Sequence, residues 1–154
     1  MKIEDLSQML AAIGPTLSPC VIDEHAEGMT FGIRFEDRTQ LLIERDENRE
    51  TLVLVGSLGP ARSDEEGDKL CLMFMRFNTL WGQLGGLRFG YEDGGEFKLF
   101  LDLPYGPLTQ GSLATLIESF AERTAFWSDV VVKGAPDPEG HLPYDANDAD
   151  IIRA

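Results

Sequence analysis

The chain has 154 residues, with 13 Lys plus Arg against 27 Asp plus Glu, a formal net charge of -14, 43% hydrophobic residues and 26% charged residues. That length is the usual size of one domain, and those proportions exclude wholesale disorder, collagen-like repeats and a membrane-embedded protein. A surface this acidic repels phosphate backbones and anionic headgroups, which lowers nucleic acid and membrane as partners and raises basic or neutral polypeptides.

Ile3, Leu6, Leu10 and Ile13 recur at three- and four-residue steps and predict a short, one-sided helix that Gly14-Pro15 stops. The same N-terminus carries Glu4 and Asp5 where a signal peptide would carry a positive stretch and an apolar run, so the cytosol is the expected compartment. From Met29 to Glu36 the residues alternate, with Met29, Phe31, Ile33 and Phe35 apolar, as in a half-buried strand. A second strand is expected around Gln40 to Arg45 and, after the charged turn Asp46-Glu47-Asn48-Arg49, a third over Thr51 to Val55. Leu52 to Val55 are apolar without a break, which implies cover on both faces. Three sequential strands with short polar turns read as an antiparallel meander.

Ser63 followed by Asp64, Glu65 and Glu66 has the form of a capping box, with acids at the positive end of a helix dipole. The helix expected from Asp64 to Leu80 or Trp81 places Leu70, Met73, Phe74, Phe77, Leu80 and Trp81 on one stripe, which must meet the sheet. Cys71, Leu72, Met75 and Thr79 lie on the far side, so this second helix requires a second partner surface. Leu87, Phe89 and Tyr91 then alternate in a fourth strand. The turn Asp93-Gly94-Gly95 leads to a fifth, with Phe97, Leu99, Leu101 and Leu103 on one face and Pro104 and Pro107 at its end. A last helix over Thr109 to Val131 carries Leu113, Leu116, Ile117, Phe120, Ala121, Thr124 and Trp127 inward. The fold expected is α+β: a twisted, five-stranded antiparallel sheet with three helices in the order α-β-β-β-α-β-β-α. The domain is expected to span residues 1–133, with an acidic, flexible tail over 134–154 that holds Asp137, Glu139, Asp145, Asp148 and Asp150 against Arg153.

The search for chemistry returns little. His25 and His141 lie in loop or tail contexts with no triad signature around them. Gly82-Gln83-Leu84-Gly85-Gly86 falls between a helix and a strand, the wrong order for a phosphate cradle. Glu36-Asp37, Asp46-Glu47 and Asp64-Glu65-Glu66 sit at turns or a helix start, where acids have structural reasons to occur. Cys20 and Cys71 have no metal-ligand spacing and read as reduced, small hydrophobes. The stretch Asp145 to Asp150 lacks the central glycine and terminal glutamate of a calcium loop. No cofactor or metal is expected, and the remaining functional feature is apolar surface.

Four stretches carry a resemblance: Leu54-Val55-Gly56-Ser57-Leu58-Gly59-Pro60; Phe77-Asn78-Thr79-Leu80-Trp81 running into Gly85-Gly86-Leu87; Leu101-Asp102-Leu103-Pro104; and Leu116 to Glu122 closing on Trp127. With the order of elements, they make Ile3 to Trp127 resemble the class I type III secretion chaperones, the family that includes the Tir chaperone. The resemblance implies a homodimer joined through the second helix and the strand after it, with neither nucleotide nor metal. Its implied client is a bacterial effector whose N-terminal segment, still non-globular, wraps the dimer; the secretion-system ATPase is a further implied partner. Carried onto this chain, the dimer face is Cys71, Leu72, Met75 and Thr79 with Leu87 and Phe89, and the effector-binding positions are Leu6, Leu10, Ile13, Phe31, Ile33 and Leu42. Two other readings stand beside it: a same-fold folding or regulatory factor outside secretion, and a small hydrolase or metal-dependent enzyme using the carboxylate clusters.

Overall fold

A computed structural model describes residues 3–17, 20–25 and 29–135; the tail from residue 136 onward, with His141 and the Asp145 to Asp150 stretch, lies outside the described residues. The elements run α1 (Ile3–Ile13), a single 3-10 turn (Gly14–Thr16), β1 (Cys20–His25), β2 (Thr30–Phe35), β3 (Gln40–Asp46), β4 (Thr51–Pro60), α2 (Asp64–Asn78), β5 (Arg88–Tyr91), β6 (Glu96–Pro104) and α3 (Gln110–Lys133). The strands form one antiparallel sheet in the order β1-β2-β3-β4-β6-β5. The α+β class is as the sequence implies, but the sheet has six strands instead of five. The added strand is β1, whose segment places one aliphatic side chain, Ile22, beside the core. One inward anchor gives too little alternation to announce a strand, and pairing with β2 makes it one.

The helices all pack on one face of the sheet. Phe31 and Ile33 of β2, Leu41 and Ile43 of β3, Leu52, Leu54 and Leu58 of β4, and Phe97, Leu99, Leu101 and Leu103 of β6 face them and are buried. α3 crosses β4 at Gly56, where a Cβ would sit 2.3 Å from Thr124 Oγ1, so the helix descends to the strand backbone at this point. Ser128 Oγ anchors the same helix by donating to Leu58 O at 3.1 Å.

Local chemistry sets the helix ends. Ser63 Oγ accepts from Glu66 N at 3.3 Å, the first half of the expected capping box, while the Glu66 carboxylate pairs with Lys69. The reciprocal box is at α3: Thr109 Oγ1 accepts from Ser112 N at 3.2 Å, and Ser112 Oγ accepts from Thr109 N at 2.9 Å. Arg62 Nη2 donates to Lys133 O at 2.6 Å, tying the end of α3 to the loop before α2. α2 stops at Asn78, with Thr79 as its C-cap, sooner than its apolar stripe suggests. Leu80 and Trp81 therefore leave the helical wheel and are exposed, whereas Leu70, Phe74 and Phe77 are buried as expected.

Aromatic rings fill the space between α2, α3 and the β5–β6 hairpin. Phe74 stacks on Phe89 with centroids 4.3 Å apart and meets Phe97 and Trp127 edge-on. Trp127 also packs edge-on against Phe77 and Phe89. Offset and edge-to-face pairs of this kind add about 0.5–1.5 kcal/mol each to simple burial.

Candidate functional site

α2 buries one side and shows the other. Leu72 is 55% exposed and Met75 68% exposed, with Thr79 exposed a turn further on and Cys71 half-buried beside them. Burial raises the Cys71 thiol pKa above its ordinary value, and the nearby Asp68 carboxylate adds to the effect. Trp81, 62% exposed just beyond the helix, extends the apolar surface. The helical wheel identified this stripe correctly because residues outside the core-facing side of a straight helix have no other element to meet. It missed Trp81, whose exposure follows from the early helix end.

The sheet has two edges with different fates. At β5, Asn78 of α2 closes the edge: its Nδ2 donates to Phe89 O at 2.9 Å, and its Oδ1 accepts from Phe89 N at 2.8 Å. Among the described residues the opposite edge strand, β1, pairs with β2 alone. Between β1 and α1 lies a groove of about 410 Å³ lined by Ser7, Leu10, Ala11, Pro15, Ile22 and Phe31. An edge strand beside a groove can accept an extended chain, with the ladder supplying hydrogen bonds and the groove taking alternate side chains.

The expected site residues fall into two groups. Cys71, Leu72, Met75 and Thr79 share the outer side of α2, while Leu87 and Phe89 are buried core residues of the single chain. Leu6, Leu10, Ile13, Phe31 and Ile33 are each at most 2% exposed, so they build the core between α1 and the sheet; Leu10 and Phe31 also line the groove beside β1. Leu42 is 40% exposed and faces away from the helices. The sequence identified these positions as apolar but could not say which were sealed, because burial depends on how α1 docks. Among the described residues, no group of three or more His, Cys, Asp or Glu side chains is placed to hold a metal ion, and no helix is long and apolar enough to cross a membrane.

A family profile, the Tir chaperone protein (CesT) family, matches residues 21–128. No curated protein matches the sequence. Among solved structures, the fold is similar to the ExsC-ExsE complex, with a TM-score of 0.68 and 18% identity over 88% of this chain and 98% of that one. It is also similar to the HopA1-SchA chaperone-effector complex, with a TM-score of 0.60 and 19% identity over 84% and 98% of the two chains. A third likeness is the Yersinia pestis type III secretion chaperone SycH in complex with a stable fragment of YscM2, with a TM-score of 0.52 and 14% identity over 82% and 99%. At such identities the structures establish the shared fold. The profile, which spans the sheet, α2 and most of α3, establishes descent: the chain belongs to the Tir chaperone protein (CesT) family.

Proposed function

We propose that this protein is a cytoplasmic bacterial chaperone, not an enzyme, that binds the N-terminal segment of a type III secreted effector in a non-globular form and keeps it soluble and export-competent. The family match over residues 21–128 carries the reading. The surface is consistent with it: β1 is an edge strand beside an apolar groove, and the net charge of -14 favours a basic or neutral polypeptide over nucleic acid. The chaperone domain spans residues 1–133, with 134–154 as an acidic extension. The working unit is a homodimer joined through the outer side of α2, where Leu72 and Met75 are too exposed to be left in water. The secretion-system ATPase is a further partner, to which the loaded dimer is delivered.

Co-purification from the native host, followed by mass spectrometry of what is bound, tests the function. An effector N-terminal fragment is the expected companion, and repeated recovery of the chain alone under secretion-inducing conditions would sink the proposal. Replacing Leu72 and Met75 together by Asp tests the dimer. Light scattering is expected to show a folded monomer, and a variant that remains dimeric would refute the interface.

A further inference from the structure

Among the described residues, no helix packs on the sheet's second face. Its outward side chains fall in register, and one row runs straight across all six strands: Asp23, Gly32, Leu42, Val55, Phe100 and Arg88. Four of these are apolar or lack a side chain. Val55 is buried although no helix lies above it, and Leu42 stands beside it, partly exposed. At the β5 end the row is closed, because the Phe100 ring lies over Gly90 with the Arg88 guanidinium 5.9 Å from its centroid. From β1 to β6 it is open, and Gly32, Leu42, Val55, Ser57 and Lys98 help to line a groove of about 480 Å³ there.

Two features say what would lie in it. Gly32 lowers the floor to the backbone: a Cβ there would meet the His25 imidazole in ordinary contact at 3.7 Å without a clash, so His25 walls the depression on the β1 side and a side chain at position 32 would fill it. The rim is acidic in its accessible charge. Asp23, Glu44, Glu92 and Glu96 surround the row, against Arg34 and a Lys98 side chain only 14% exposed between Glu92 and Glu96. From β2 to β6 the row spans about 14 Å, the length of about four extended residues. Building on the client-binding reading above, we infer that this face is a second docking surface of the chaperone. It takes an extended client segment in which apolar side chains seat over Gly32, Leu42 and Val55 and flanking Lys or Arg residues meet the rim carboxylates. The edge at β1 and the groove under α1 serve the opposite side of the same strand, so one client passing over β1 can engage both faces.

The test uses the full chain and a fluorescein-labelled peptide, Gly-Ser-Lys-Leu-Val-Leu-Lys-Ser-Gly, with its Glu-for-Lys counterpart, read by fluorescence anisotropy at physiological salt. The wild type is expected to bind the Lys peptide more tightly than the Glu peptide. Gly32→Val fills the depression without altering charge, and Gly32 has an ordinary backbone torsion, so the variant is expected to fold with about tenfold or weaker peptide affinity. Glu44→Gln with Glu96→Gln should weaken binding and flatten its salt dependence. The Leu72→Asp, Met75→Asp variant should bind the peptide as the wild type does. Unchanged affinity in Gly32→Val, with native circular dichroism, overturns the inference, because binding would then be mere attraction of a cation to an acidic protein. If Gly32→Val does not fold, Leu42→Asp on the same row replaces it, with the same loss expected and the same refutation. Failure of the client-binding reading itself shows separately, as no effector segment recovered with the wild type.

Discussion

Replacing Gly56 by Ala sets a methyl group against the middle of α3. The new Cβ would lie 2.3 Å from Thr124 Oγ1, 2.7 Å from Thr124 Cγ2 and 3.0 Å from Thr124 Cβ. Carbon contacts settle near 3.5–4.0 Å, so relieving the Cγ2 clash alone moves the helix by about 1 Å. Thr124 cannot swing away freely, because it is 1% exposed and its hydroxyl donates to Phe120 O at 2.8 Å. The shift would be transmitted to Phe120 and Trp127, which pack in the core on the same helix. Overpacking at such a site costs about 2 kcal/mol, with a range of about 1–3, and corresponds to a fall in Tm of about 4–8 °C for a domain of this size. Urea denaturation followed by circular dichroism, at fixed protein concentration because a dimer makes stability concentration-dependent, measures it. Gly82→Ala is the control, since a Cβ there meets nothing within 4 Å. Thr124→Ala removes two of the three clashing atoms, so the double variant should regain about 1 kcal/mol or more relative to additivity. Additive effects, or a Gly56→Ala cost no larger than that of Gly82→Ala, would refute the close approach.

Asn78→Ala removes both hydrogen bonds that hold Phe89 of β5 to α2 and leaves two backbone groups unpaired at a sheet edge. A loss of about 1.5–3 kcal/mol is expected in urea denaturation, together with faster amide exchange at Phe89; unchanged protection there would contradict the edge closure. Cys71 is the described free cysteine, and its raised pKa predicts slow alkylation at neutral pH that accelerates above the ordinary thiol value of 9.0. Iodoacetamide labelling at pH 8 should be slower in the wild type than in an uncharged Leu72→Ser, Met75→Ser variant if the dimer covers α2, and equal rates would count against that interface. Glu96 is held below its ordinary carboxylate value of 4.5 chiefly by its hydrogen bond and charge attraction to Lys98. A lowered folded-state pKa means the stabilisation is complete above the unfolded value and fades as pH falls through the folded one. Glu96→Gln should therefore cost a few tenths of a kcal/mol at pH 7, a deficit that shrinks as the pH falls below the ordinary carboxylate value, the small size reflecting solvent screening of an exposed pair. A deficit that persists in acid would assign the loss to packing.

Much of the architecture was legible because it is written in local periodicity. The 3.6-residue spacing of Leu70, Phe74 and Phe77, the Ser63 cap, and the strict alternation through Phe31–Phe35 and Phe97–Leu103 each depend on neighbours a few residues away. The outer side of α2 was legible for the same reason: once Phe74 and Phe77 point inward, Leu72 and Met75 must point out. β1 was not, since its strand character comes from pairing Cys20–His25 with Phe35–Thr30 and from one inward anchor, Ile22. The identities of Leu6, Leu10, Ile13, Phe31 and Ile33 said that they would be covered by something, but not by what. In the folded chain the α1 residues Leu6, Leu10 and Ile13 and the β2 residues Phe31 and Ile33 are buried in one core, and Leu42 on the far face is left partly bare.

The sequence by itself determined the class of the fold, the position of α2 and α3, and the existence of a second apolar stripe on α2. These follow from composition and from contacts closer than one turn of helix or one hairpin. Only the tertiary structure decided that the sheet has a sixth strand, that Asn78 shuts the β5 edge while β1 remains the other edge, that Leu87 and Phe89 belong to the core, and that Gly32, Leu42 and Val55 come into one row on the uncovered face. Each of these depends on the register of strands paired across the sheet or on where a helix lands. A one-residue slip would send every one of those side chains to the opposite face, and only the assembled sheet holds that register.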